Sequence, residues 1–139
     1  MNFRNVKILA ALALLAGGMG AASSSQAHHA FAAEFDARKA IALQGSVTKV
    51  RFVNPHSWVY LDVKGANGDV TNWGFEFGTP NSLRNNGITR EDIKPGTDIA
   101  IQGYLAKNGG PFGYSAIVTL PDGRKVKTGA APDAPGTQR

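Results

Sequence analysis

Three histidines are the residues best suited to chemistry in this chain: His28, His29 and His56. There is no cysteine, and both methionines, Met1 and Met19, fall in the first twenty residues. Thiolate metal sites, disulfides and cysteine nucleophiles are therefore excluded. Nitrogen ligands without sulfur favour Cu(II), zinc or nickel, and affinity at such sites peaks at Cu(II). The placement of His28 sharpens this reading. If the chain is cut after Ala27, His28 carries the free α-amine. Amine and imidazole of one histidine, with a second imidazole across from them, form the three-nitrogen histidine brace that suits copper. His28 and His56 are the expected ligands, and His29 is a third imidazole or an outer-shell group. Glu34, Asp36 or Glu76 would orient an imidazole by accepting its other N–H. The bland alternative is that His28 and His29 are polar residues on a frayed end and that His56 bonds the backbone of its own turn.

The cut after Ala27 follows from the first residues. Arg4 and Lys7 make a basic start, Ile8 to Ala16 is a short uncharged run of Leu and Ala, and Gly17, Gly18 and Gly20 break it. Ser23 to Ala27 is small and polar. This is the layout of a secretory signal peptide. The competing reading, an uncleaved anchor, needs about 20 apolar residues, which this run does not supply. The expected organisation is residues 1–27 as signal peptide, 28–128 as one domain and 129–139 as a disordered tail rich in Ala, Pro and Gly. The expected location is the periplasm, with no membrane anchor after processing.

The formal charge is +5, or +3 once Arg4 and Lys7 are removed, and the cations are scattered. A solvated surface is the default reading, and nucleic acid is not an expected partner.

The elements that must position the histidines are strands. Ile41 to Val53 alternates through Ile41, Leu43, Gly45 and Val47, then slips phase so that Val50 and Phe52 carry the apolar face. A slip beside a glycine predicts a bulge or bend. Asn54-Pro55-His56 makes a turn. Trp58 to Lys64 puts Val59, Leu61 and Val63 on one face and Trp58, Tyr60 and Asp62 on the other. Gly65 to Asp69 is hairpin-turn chemistry, and Val70 to Gly78 carries Trp73, Phe75 and Phe77 on one face, which reads as core. Thr79-Pro80 opens a short helix that Gly87 ends, and Thr89 to Asp92 is expected to start a second helical turn. Thr97 to Ala106 is a strand with Ile99, Ile101 and Leu105 inward. Tyr114 to Leu120 is another, and Lys125-Val126-Lys127 is a short edge strand. The loop at Asn108 to Gly113 has no phosphate-loop pattern. The fold class is all-β with one short helix, and the order of elements fits a five- to six-stranded OB-like β-barrel. A small open β-sandwich is the rival.

The runs His28 to Asp36, Gly45 to Val50, Val53-Asn54-Pro55-His56-Ser57-Trp58, Asn72 to Glu76, Lys94-Pro95-Gly96 and Pro121 to Arg124 resemble a family of small exported proteins of Gram-negative bacteria, the domain of unknown function 6152. The resemblance spans nearly all of the chain after Ala27. It implies export and a single periplasmic β-barrel domain, and it carries over no catalytic residues.

Two function classes remain. One is a non-enzymatic binding domain for a divalent transition metal, copper above all, at His28, His29 and His56. The other is an accessory module that meets an envelope protein or a small ligand on an exposed aromatic face. OB barrels bind ligands over strands two and three, which singles out Trp58 and Tyr60, with Glu76 beside them. A copper-dependent oxidase is a third reading, for which the sequence shows neither an open coordination position nor a substrate surface. Ser57 beside His56 makes no triad, because neighbouring strand residues face opposite ways. Asp62 and Glu76 on paired strands are a weak candidate carboxylate pair.

Overall fold

A computed structural model describes residues 31–136. The expected signal peptide at residues 1–27, His28 and His29 lie outside the described residues. The described chain is mostly β. It runs α1 (Phe31–Glu34), β1 (Phe35–Arg51), β2 (Ser57–Lys64), β3 (Val70–Phe77), α2 (Pro80–Asn85), β4 (Asp98–Ala106), β5 (Phe112–Thr119) and β6 (Lys125–Lys127). Hydrogen bonds give the strand order β3-β2-β1-β4-β5-β6. A further pairing, the parallel match of Gly74–Glu76 with Phe112–Tyr114, joins β3 to β5 and returns the sheet on itself as a ring. The other neighbours are antiparallel.

β1 makes the ring possible. Seventeen residues at about 3.3 Å each would extend roughly 55 Å, further than a domain of this size is wide, so the strand must bend. Its first part pairs with β4 as far as Ser46, and its last part pairs with β2 from Ser46 onward. The register shifts between Val47 and Lys49, where the phase of the sequence slips. Gly45 sits at the crossing, and a Cβ there would stand 2.4 Å from the carbonyl oxygen of Asp62. Only a residue without a side chain lets the two backbones come that close.

The interior follows from alternation. Val59, Leu61 and Val63 of β2, Phe75 and Phe77 of β3, Ile99 and Ile101 of β4 and Val118 of β5 face one another inside the ring, with Val47 from β1. Trp73 stays half-buried and packs on this core, its ring 6.0 Å from that of Phe75. Leu105, expected inward, is only half-buried. Leu83 of α2 and Ile88 and Ile93 of the following loop join the same core. Thr79 caps α2, its hydroxyl accepting from the Ser82 N–H at 3.0 Å, and Gly87 takes positive φ just past the end, as expected. The second helical turn does not form. The Thr89 N–H and hydroxyl both donate to Asp92 Oδ2 at 2.7 Å, which closes a turn instead.

Two expectations fail outside the ring. β1 begins at Phe35, six residues before Ile41, because Phe35 pairs with Ala106 beyond another register shift. Arg38 and Lys39, exposed between them, hide that strand from any alternation test. The segment from Gly129, expected to be disordered, packs against the sheet. Ala131 and Ala134 are buried with Phe31, Phe35, Ala106 and Tyr114 in a second apolar cluster, and the Ala131 N–H donates to Tyr114 Oη at 3.1 Å. An Ala–Pro segment has no periodicity to read, yet small side chains fit closely on an aromatic surface. Gly129 shows how closely: a Cβ there would meet Tyr114 Oη at 2.3 Å.

Candidate functional site

His56 stands at the foot of β2, directly after the cis Asn54-Pro55 peptide and before Ser57. Two residues on, Trp58 lies on the outer face of β2 and pairs in register with Glu76 of β3. On its other side Glu76 pairs with Tyr114 of β5. Strand geometry thus brings an imidazole, an indole and a carboxyl to one spot from residues about 20 apart. His56 Nδ1 lies 3.2 Å from Glu76 Oε1. The contact is an ion pair when His56 is protonated and Glu76 ionised.

Glu76 is only 7% exposed although it points out of the ring. Glu34, at the end of α1, lines the same shallow pocket of about 240 Å³ with Val53, Asn54, Pro55, His56 and Trp58. Burial, and secondarily the neighbouring charge of Glu34, push the Glu76 carboxyl up to about 7. Close by, burial is also the main cause that raises the Tyr114 phenol, with Glu76 and Asp133 adding to it.

Beside this pocket runs an aromatic strip. Trp58 and Phe112 approach to 5.3 Å between ring centroids. Tyr60 and Phe112 flank Gly74, where a Cβ would meet both rings at 3.1 to 3.3 Å. Lys49 Nζ lies 5.8 Å from the Tyr60 ring centre. Trp58 and Tyr60 are half-buried while Val59, Leu61 and Val63 are buried, so the two faces of β2 divide as the alternation predicts.

The structure sorts the other candidates. Of the three acids expected near an imidazole, Glu76 meets His56 and Glu34 lines its pocket. Asp36 turns to Arg38 at 3.1 Å, and the guanidinium holds its carboxyl below the ordinary carboxylate range. Asp62 and Glu76 form no pair: Asp62 lies opposite Asn72 and accepts from its side-chain amide at 2.8 Å. Ser57 faces the interior, its hydroxyl buried with no hydrogen-bond partner among the described residues. Among those residues no group of three or more His, Asp or Glu could hold a metal ion. Sequence reasoning missed the part played by Asp133, which sits in no motif.

The model of a family of unknown function (DUF6152) matches residues 17–115. The chain belongs to this family. The DUF6152 match takes in α1, β1 to β4 and β5 as far as Ser115. It includes every residue of the His56–Glu76 pocket and stops before β6 and the segment that follows. No curated protein matches the chain.

Proposed function

We propose that this protein is an exported, periplasmic, non-enzymatic binding domain of OB-like β-barrel form, and that its ligand is a divalent transition metal, copper in the first place. The ring order β1-β2-β3-β5-β4 and the helix between β3 and β4 support the OB-like reading. The observation that carries the metal reading is the contact of His56 Nδ1 with the buried Glu76 carboxyl. A carboxylate on one ring nitrogen fixes the tautomer and turns the other nitrogen, Nε2, toward a ligand, as is usual behind metal-binding imidazoles. His56 Nε2, the His28 imidazole and the His28 amine are the proposed donors, with His29 beside them. Glu34 is six residues after His28 and lines the His56 pocket; with Phe31–Glu34 helical at about 1.5 Å per residue and the three steps before it extended, the tether reaches at most about 15 Å, which permits the approach. Bound copper would supply Lewis acidity and redox chemistry. This chain's own part is to orient His56 through Glu76 and to exclude water with Trp58.

The test is Cu(II) binding to the protein beginning at His28, read by calorimetry and electron paramagnetic resonance. One extra residue before His28, or His56→Ala, is expected to weaken binding at least tenfold and to change the spectrum. Equal, weak binding in all three forms would remove the metal from this site.

The half-exposed Trp58 on the pocket's rim favours a second reading, a stacking platform of Trp58, Tyr60 and Phe112 for a small ligand or an envelope partner. Tryptophan fluorescence during titration with soluble glycans would respond in that case. A flat response would count against the platform.

A further inference from the structure

Glu34 owes its place beside Glu76 to a helix that cannot stand alone. α1 has four residues, too few to be stable without tertiary contacts. Its start is held from the far end of the chain. The Phe31 N–H donates to Asp133 Oδ1 at 2.9 Å and the Ala32 N–H to Asp133 Oδ2 at 3.2 Å. Its finish is held just past the end of β4, where the Lys107 N–H donates to the Glu34 carbonyl at 2.9 Å and Lys107 Nζ donates to the Ala32 carbonyl. Its one buried side chain, Phe31, packs on Tyr104 at 5.3 Å and Tyr114 at 5.1 Å between ring centroids. Tyr114 in turn accepts from the Ala131 N–H of the segment that carries Asp133. The residues from Gly129 to Gly136 therefore act as a strap across the outer face, and the strap grips the element that ends in Glu34.

We infer that Asp133 is a positioning residue for the His56–Glu76 pocket: through α1 it fixes where Glu34 stands. The inference rests on the metal-binding reading for its functional consequence, but its structural half stands without metal. Two carboxylate oxygens on two successive N–H groups define the direction of the helix as well as its location, which a single apolar contact would not. The strap sits in the outer cluster, apart from the ring's interior. Loosening it should leave the ring folded and displace the pocket.

The experiment compares the processed protein with Asp133→Ala and Asp133→Asn. A control, Asp92→Ala, removes an acid whose partners are Thr89 and Arg124. Three readouts are taken: the nitrogen-15 resonances of the His56 ring without metal, amide exchange at Phe31 and Ala32, and Cu(II) affinity with its paramagnetic spectrum. In both Asp133 variants the amides should exchange faster, the His56 ring resonances should move and Cu(II) affinity should fall roughly tenfold. Asp92→Ala, at a comparable loss of thermal stability, should change none of the three. Faster exchange with unmoved His56 resonances would overturn the inference, as would equal shifts in the control. If the unaltered protein fails to bind Cu(II), the metal reading falls, and the His56 resonances alone decide the positioning role.

Discussion

Inside the ring, Val59, Leu61 and Val63 arrive from one strand and Phe75 and Phe77 from the strand hydrogen-bonded to it. Outside it, Phe31, Tyr104, Tyr114 and Ala131 arrive from α1, β4, β5 and the segment after β6. The interior is repetitive and local: each strand brings every second residue, and each neighbour supplies the complement. The outer layer gathers a few residues from each of four segments, held by Asp133, Lys107 and the Tyr114 hydroxyl. Polar bonds of this kind have preferred directions, whereas apolar burial has almost none. The layer that holds α1 and Glu34 thus adds directed hydrogen bonds to its apolar contacts, whereas the side chains inside the ring are chiefly Val, Ile, Leu and Phe.

This contrast can be broken by mutation. Phe75→Ala empties a fully buried site in the ring and should cost about 3–5 kcal/mol in urea unfolding. Phe31→Ala, in the outer layer, should cost about half as much, because the strap can settle onto Tyr114 or admit water at its margin. Equal losses would mean that the two layers form one cooperative core. Gly45→Ala tests the bend that both layers depend on. Its methyl would meet the Asp62 carbonyl, and about 1–3 kcal/mol of overpacking is expected; an unchanged unfolding midpoint would show that the bend does not require glycine.

Glu76 sharpens the comparison through pH. Its carboxyl is raised in the folded state from the ordinary 4.5 to about 7, so the folded protein holds a proton that the unfolded chain has already released. Stability should therefore fall as pH rises from about 4.5 to about 7 and level off above that, a change on the order of 1–3 kcal/mol. The charged and titratable groups facing Glu76 are Glu34, His56 and Tyr114. Glu76→Gln keeps the shape without the charge, and should abolish the slope and be the more stable form above pH 7. A Gln variant with the same slope would assign the titration to another group. Unfolding midpoints measured between pH 4 and 8 distinguish the two.

Much of the ring was legible in the chain. The alternation of β2, the aromatic face of β3, the cap and stop of α2 and the phase slip near Gly45 all came true, because each is a property of neighbouring residues and backbone geometry. Leu105 and the turn at Thr89 to Asp92 did not, since a strand's end and a side-chain bond can each override a local preference. At the site, the residue types were legible, and the pairing of His56 with Glu76 was one of three options the sequence left open. Asp36 was removed from that choice by Arg38, two residues away, a competition that periodicity does not record.

The sequence by itself determined which residues face inward, where the chain must turn and which side chains have the chemistry to bind a ligand, since these follow from period, glycine and proline placement and donor type. Only the tertiary structure decided that Glu76 is buried on an outward face, that Glu34 stands beside it and that a segment of Ala, Pro and Gly is a strap. Those facts depend on which distant segments come to lie across one face of the sheet. Apolar burial is too undirected to announce that in advance, and two N–H groups meeting one carboxylate 101 and 102 positions away leave no local trace.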